Sequence, residues 1–383
     1  MSAGADHLIP LFDMRLDERE IEAVAATLRS GWLTMGPRTQ AFEEEFAAHL
    51  GVRHAVALSS CTAALHLAYL AAGVGPGDEV IVPGITFVAS AAAVRYCGGT
   101  PVIADVTGAD DIGIDADDVE RRIGDRTKAV CAVHYGGYRA AVGRLRELCE
   151  ARGLALVEDA AHHPALAPAG LAACYSFFSN KVLSCGEGGL LATNDDDVAA
   201  SARSLRSHAM TSGTWDRHRG HSTEYDVVGV GFNYRMDEPR AALLSARLPG
   251  LAADIAERRR LVHRYRSLLD GLSGVSVPYR DDEVDGSSCY VMPVIVERAE
   301  LRDPLRAFML DERRVQTSVL YPAVHELAAY ASGERLPQSE RIARSELTLP
   351  LHPRLSEDDQ DRVVSALADG LRHLERTPST VGS

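Results

Sequence analysis

The chain has 383 residues, of which 46% are apolar and 25% charged, the balance of a soluble globular protein long enough for two domains. Its formal net charge of −14 argues against non-specific nucleic-acid binding, which needs a basic face. No apolar run of about 18 residues is present, so no membrane span is expected; residues 1–10 carry no secretion signal, and seven scattered cysteines without a CxxC pair suit free thiols in a reducing cytoplasm rather than a metal or disulfide framework.

Helices are expected over 17–30 and 38–50, with Asp17 and Thr39 as N-caps and Gly31 and Gly51 as stops. Between them Ser30-Gly31-Trp32-Leu33-Thr34-Met35-Gly36-Pro37 forms a connection with an exposed Trp32. Strands and helices then alternate: strands over 54–58, 79–82, 101–104, 127–133 and 155–157, and helices over 61–73, 89–97, 116–123 and 141–152. This alternation implies right-handed crossovers and a mostly parallel sheet covered by helices on both faces, an α/β fold. Two further strands, 171–178 and 189–193, flank a turn containing Lys181. Residues 209–231 are polar, Gly-rich and poorly periodic, a loop of the length that usually carries function or disorder. A long amphipathic helix over 237–269 breaks near Pro249-Gly250. From about 273 the pattern changes to isolated strands (289–296) and helices (303–311, 357–375), a smaller α+β unit. The division expected is a large domain over 1–250 with an N-terminal arm and a small C-terminal domain over 251–383, ending in a frayed tail.

Of 40 Lys and Arg residues only Lys128 and Lys181 are lysines. Arg cannot serve as an amine nucleophile, whereas a deprotonated Lys can form a Schiff base. Lys181 lies in Tyr175-Ser176-Phe177-Phe178-Ser179-Asn180-Lys181, shortly before Ser-Cys-Gly-Glu-Gly-Gly (184–189). These small and apolar neighbours set it apart from a solvated surface lysine. Asp159, in Leu156-Val157-Glu158-Asp159-Ala160-Ala161-His162-His163, ends a strand, the place where open parallel sheets bind ligands. Helix capping is the ordinary alternative for such an acid. Pyridoxal phosphate needs both residue types: a lysine for covalent attachment and a carboxylate to keep its ring nitrogen protonated. Ser59-Ser60-Cys61-Thr62-Ala63-Ala64-Leu65 offers hydroxyls and backbone N–H groups at a helix start for a phosphate. Ser176 adds another hydroxyl, and Phe87 an aromatic face. Residues 202–221 hold Arg203, Arg206, Arg217 and Arg219 with three histidines against Asp216, a basic flap able to meet phosphate.

These stretches, SGWLTMGP (30–37), SSCTAALHLA (59–68), DEVIVPGITFVAS (78–90), VEDAAHH (157–163), YSFFSNKVLSCGEGG (175–189) and GFNYRMDE (231–238), together resemble the DegT/StrS family of pyridoxal-phosphate-dependent nucleotide-sugar aminotransferases of fold type I. The resemblance implies that Lys181 carries the cofactor, Asp159 meets the pyridine nitrogen and His162 faces the ring's hydroxyl side. It further implies that Phe87 stacks on the ring, while Thr62, Ala63 and Ser176 hold the phosphate and Cys61 belongs to the cofactor-binding set. Asn233 would reach the phosphate from a neighbouring subunit, giving a homodimer with shared active sites. Tyr321 and His325 are similar to the family's small-domain residues near the sugar, and Trp32, Arg217 and Arg219 are candidates for the sugar and diphosphate. Cys61 stands where Gly is frequent and Met35 where Thr is frequent.

The reaction implied is a ping-pong transamination. An amino acid, L-glutamate by resemblance, gives its amine to the cofactor, with neutral Lys181 as proton shuttle. The pyridoxamine form then aminates a keto sugar on a nucleoside diphosphate. His134-Tyr135-Gly136-Gly137 resembles 4-keto-sugar members and favours C4 of dTDP-4-keto-6-deoxyglucose, with a 3-keto sugar or keto-cyclitol as alternatives. A sugar dehydratase of the same fold would carry His in place of Lys181. A nucleotide-dependent oxidoreductase would need G-x-G-x-x-G after the first strand, and Ser59 to Ala64 contains no Gly.

Overall fold

The computed structural model describes residues 7–211 and 224–376. Helix α1 (Glu18–Ser30) begins as expected. The Asp17 carboxylate accepts the Glu20 N–H and the Glu20 side chain accepts the Asp17 N–H, a reciprocal capping box. Gly31, at φ 75°, ends it. Helix α2 (Pro37–Leu50) starts two residues before the expected cap Thr39, with Gly36 in the cap position and no side-chain cap of its own. The cap comes from far along the chain. Glu238 accepts the N–H groups of Gly36, Arg38 and Thr39 and the Thr39 hydroxyl, at 2.8–2.9 Å. A Cβ on Gly36 would sit 2.5 Å from Trp32 Nε1, so only Gly permits this approach.

The main sheet contains β1 (His54–Leu58), β2 (Glu79–Pro83), β3 (Thr100–Ala104), β4 (Thr127–Val133), β5 (Ala155–Asp159), β6 (Ala172–Ser176) and β7 (Gly189–Thr193), in the order β1-β7-β6-β5-β4-β2-β3. Strands β3, β2, β4, β5 and β6 pair in parallel, and β7 runs antiparallel to both β6 and β1. Alternate residues feed opposite faces. Val56, Leu58, Val80 and Val82 pack on α3 (Cys61–Ala71) and α4 (Ala89–Tyr96). Ala55, Ala57 and Tyr175 pack on Phe42 and Phe46 of α2, while Ile81 and Val130 meet Leu145 and Cys149 of α6 (Val142–Arg152). The short α5 (Ala116–Arg122) adds Val119 to that side. Burial on both faces is what the near-continuous apolar strands require.

Helix α7 (Asp196–Leu205) was not expected from the sequence; the Asp195 carboxylate caps it through the N–H groups of Asp197 and Val198. The anticipated long helix is two, α8 (Glu238–Arg247) and α9 (Leu251–Leu269), separated by a tight turn at Leu248–Gly250. Pro249 has no N–H to continue the helical ladder. Beyond α9, strands β8 (Val275–Ser276), β9 (Met292–Val296) and β10 (Glu346–Leu349) form an antiparallel sheet in the order β10-β9-β8. Around it lie α10 (Asp281–Gly286), α11 (Arg302–Asp311), α12 (Pro337–Ser345) and α13 (Glu357–Arg376). The N-terminal segment joins this side of the molecule. Ile9 bridges to Val315, and Leu11 O accepts the Leu351 N–H. That places Leu11 and Phe12 over the junction between the two sheets, where a cavity of about 470 Å³ opens.

Candidate active site

Lys181 sits in the turn between β6 and β7. Its N–H donates to Phe178 O at 2.9 Å, and the turn closes where the Cys185 N–H donates to Phe177 O at 2.9 Å. Gly189, at the start of β7, lies so close to α3 that a Cβ there would fall 2.2 Å from the Ser60 carbonyl carbon. The Gly-Gly pair therefore brings the lysine turn against the start of α3. The Lys181 Nζ stands 4.3 Å from the centre of the Tyr290 ring. Burial pulls its ammonium down to about 8, with Asp159 acting in the opposite direction. A usable fraction of neutral amine at neutral pH follows.

Asp159 closes β5 and is 5% exposed. Its Oδ2 accepts the Ser90 hydroxyl at 2.8 Å and its Oδ1 accepts the Ala161 N–H at 3.1 Å. Ser90 is aligned by the Thr86 hydroxyl 2.9 Å away. The Cys61 thiol lies 3.9 Å from Oδ1; burial, then Asp159, raises that thiol well above its ordinary range, so it stays protonated. A carboxylate held this way keeps a fixed position and favours a cation placed against it.

His162, 4% exposed, accepts the Gly136 N–H on Nδ1 at 3.1 Å. Its proton therefore resides on Nε2, 2.8 Å from the Tyr321 hydroxyl. The imidazole stacks on Tyr290 with centroids 4.4 Å apart and lies parallel to Tyr321 at 5.9 Å. Burial, with Lys181 second, pulls His162 well below its ordinary value, which keeps it neutral. Phe87, 56% exposed, lines the cavity with its ring 5.9 Å from that of Tyr321.

Ser60, Cys61 and Thr62 line the cavity at the start of α3, and Ser176 faces them. Helix starts leave N–H groups without intrahelical partners and attract anions. The Ala63 N–H is already taken by the Ser60 hydroxyl at 3.1 Å, and Ala63 itself is buried. A lysine amine, a buried carboxylate, a helix N-terminus with hydroxyls and an open aromatic wall around one cavity fit a phosphate-bearing pyridine such as pyridoxal phosphate.

The cavity thus gathers Cys61, Thr62, Phe87, Asp159, Ser176, Lys181 and Tyr321, with His162 directly behind Tyr321 and Tyr290. Other expected residues lie elsewhere within one copy of the chain. Trp32 packs over Gly36. His325 is buried with Nε2 3.6 Å from Glu340. Asn233 is exposed and bridges Ser207. Arg217 and Arg219 lie outside the described residues. Sequence reasoning missed Ser90 and Tyr290. Ser90 alone had a local signal, a small hydroxyl residue in the first turn of a helix following a strand.

The family model described as DegT/DnrJ/EryC1/StrS aminotransferase matches residues 14–368. The spore coat polysaccharide biosynthesis protein SpsC of Bacillus subtilis (strain 168) is 35% identical over 95% of this chain and 97% of its own. The crystal structure of the aminotransferase TlmJ from Streptoalloteichus hindustanus superposes with a TM-score of 0.88 at 36% identity, covering 96% of this chain and all of TlmJ. DesV from S. venezuelae gives a TM-score of 0.86 at 35% identity, covering 95% of this chain and 98% of DesV. Pyridoxal phosphate and pyridoxamine phosphate are the cofactor forms found in homologous structures. The chain belongs to the DegT/DnrJ/EryC1/StrS aminotransferase family and is a pyridoxal-phosphate-dependent sugar aminotransferase.

Proposed function

We propose that this enzyme moves an amino group from an amino acid, L-glutamate, to the C4 keto group of a nucleoside-diphosphate-linked deoxysugar of the dTDP-4-keto-6-deoxyglucose class. The observation that carries the reading is the pairing of Lys181 and Asp159 in one cavity, with the lysine drawn to about 8 by burial. When bound, pyridoxal phosphate supplies an electron sink for labilising a proton next to nitrogen. Lys181 would attach it and move the proton; Asp159 would hold the ring nitrogen in its charged form. His162 would orient the ring's hydroxyl edge through Tyr321, and Phe87 would cover the ring face. Thr62 and Ser176 would receive the phosphate at the start of α3, with Cys61 beside them in the cavity, while the Ala63 N–H stays with the Ser60 hydroxyl.

A second copy of the chain completes this reading. Val228 and Val230 are 69% and 90% exposed, close in sequence to exposed Asn233. Exposed aliphatics in sequence suit a covered interface, and Asn233 would cross it to the partner's phosphate. Trp32, Arg217 and Arg219 would meet the sugar and diphosphate in that dimer, whereas His325, buried beside Glu340, would not reach them. SpsC, a polysaccharide-biosynthesis protein by name, supports a sugar acceptor.

The test starts from the pyridoxamine form of the purified enzyme, mixed with dTDP-4-keto-6-deoxyglucose or its 3-keto counterpart. The yellow band is expected to return with the 4-keto sugar. Return with the 3-keto sugar alone moves the site of amination. No return with either removes the nucleotide-sugar reading and favours a keto-cyclitol.

A further inference from the structure

Glu158 precedes Asp159 on β5, and adjacent side chains on a strand leave opposite faces of the sheet. Asp159 enters the cavity, while Glu158 turns away from it and is fully buried with His134. A buried carboxylate is tolerated only when its oxygens are matched. Oε1 accepts the N–H groups of Ala169 and Gly170 at 2.5 and 2.9 Å, and Oε2 lies 3.2 Å from His134 Nε2. Burial pushes this carboxyl up, yet its hydrogen bonds, that of His134 foremost, bring it below its ordinary value. The Ala140 N–H donates to His134 Nδ1 at 3.2 Å. With Nδ1 occupied as an acceptor, His134 carries its proton on Nε2 and donates it to Glu158.

The pair holds more than itself. His134 opens the His134-Tyr135-Gly136-Gly137 stretch, and its own N–H donates to Asp159 O at 3.1 Å. Strand β5 thus grips this residue by side chain and by backbone. The turn that follows reaches three groups of the site. The Gly136 N–H donates to His162 Nδ1 at 3.1 Å, the Gly136 carbonyl accepts the Tyr290 N–H at 2.9 Å, and the Tyr135 ring meets that of Tyr321 edge-on at 6.2 Å. Its fit is close: Gly137 has φ 92°, and a Cβ there would fall 2.2 Å from Ser288 Oγ. Glu158, His134 and the turn stand behind the cavity wall rather than in it.

We propose that Glu158 and His134 are positioning residues for the reaction: through the 135–137 turn they hold the Gly136 N–H on His162 Nδ1, which commits the His162 proton to Nε2 and leaves the Tyr321 hydroxyl free to donate into the cavity. This rests on the cavity being the aminotransferase active site and not on which sugar is aminated. The pair then acts on the chemistry through the direction of hydrogen bonds, without touching substrate.

Two measurements test this. Glu158→Gln is nearly isosteric, but an amide cannot serve both neighbours. With its oxygen on Ala169 and Gly170, its NH2 faces the His134 Nε2–H; turned over, the NH2 faces the two backbone donors. The second-order rate constant at which L-glutamate removes the yellow cofactor band, taken per cofactor-loaded site, should fall about fivefold to tenfold. In a Tyr321→Phe background the same change should cost less than about a further twofold, because the path it acts through is already cut. Equal factors in the two backgrounds, which a general loss of packing would give, overturn the proposal, as does the absence of any loss when Tyr321 is present. Should Glu158→Gln not fold, His134→Gln takes its place in the same cycle, since it keeps a donor for Glu158 and loses the acceptor for Ala140. The second measurement uses the cofactor-free wild-type protein with 15N-labelled histidine. At neutral pH the His162 signal, identified by its loss in His162→Gln, should show a protonated Nε2 and a bare Nδ1. A proton on Nδ1 overturns the proposal. The tautomer is read without turnover, so failure to react with L-glutamate or to aminate a nucleotide sugar leaves this result separate.

Discussion

His162 donates its Nε2–H to the Tyr321 hydroxyl across 2.8 Å. The direction is set from behind, because the Gly136 N–H occupies Nδ1 and the buried ring stays neutral. Tyr321 therefore accepts from the protein and keeps its own proton for an oxygen inside the cavity. Burial raises that phenol well above its ordinary range, so it remains a donor at any working pH.

The Tyr321→Phe variant tests this directed relay. It removes the donated proton and strands the His162 Nε2–H. The expected result is a fall in kcat/KM of about tenfold, the scale of one well-placed hydrogen bond of ~1.4 kcal/mol. The upper arm of the pH–rate profile should stay where it is, since the phenol does not titrate there. Unchanged kinetics would show that the Tyr321 hydroxyl meets no reacting or cofactor oxygen.

Lys181 gives a prediction about the cofactor-free protein. With its amine titrating near 8, roughly one lysine in ten is neutral at pH 7. Capture of added pyridoxal phosphate should therefore rise with pH to a midpoint near 8, not near the ordinary lysine value. Asp159 favours the charged amine, so Asp159→Asn should move the midpoint lower. Borohydride trapping at each pH, followed by peptide mapping, reads both results. Trapping on Lys128 would show that the assignment to Lys181 is mistaken.

Glu238 caps α2 from α8. Its Oε1 serves the Gly36 and Thr39 N–H groups and the Thr39 hydroxyl, while Oε2 serves the Arg38 N–H. Glu238→Ala leaves these donors unmatched in a buried place and should cost about 3 kcal/mol in urea unfolding. Glu238→Gln retains an amide oxygen for the Oε1 contacts and should cost less than half as much. Equal losses would mean that charge at the helix start, not the hydrogen bonds, is what stabilises it.

The sequence made local features legible and left the distant ones hidden. Asp17 and Gly31 mark α1 because a capping box and a left-handed stop lie within a few residues of the helix. Lys181 and Asp159 stand out because their residue types are chemically unusual at strand ends. By contrast, Thr39 looks like a cap by composition, yet the cap of α2 is Glu238, which only folding brings near. Tyr290 precedes β9 with nothing in its neighbours to mark it. Its ring meets Lys181 because the second sheet packs on the first. Helix α7 was absorbed into the basic stretch that follows it, and β10 is four residues long, too short for a period to show.

Glu346, on β10, is 2% exposed. Its Oε2 accepts the Leu320 N–H at 3.0 Å and its Oε1 the Thr348 hydroxyl at 2.5 Å. Burial raises its carboxyl to about 7, against the opposing pull of those hydrogen bonds and of Arg302. In the unfolded chain the same group titrates near its ordinary value of 4.5. Between these two values the folded protein holds a proton that the unfolded chain has lost. Stability from this group is therefore fully present below about 4.5, falls as pH rises through the window, and levels off above about 7, by ~3 kcal/mol in all. Other groups titrate over the same range, so the readout is a difference. Glu346→Gln keeps the shape and abolishes the titration. Urea unfolding at a series of pH values from 5 to 8 should show wild type losing more stability with rising pH than the variant, with the gap closing below pH 5. Parallel curves would mean that the carboxyl titrates as in an unfolded chain, and that water reaches it between Leu320 and Thr348.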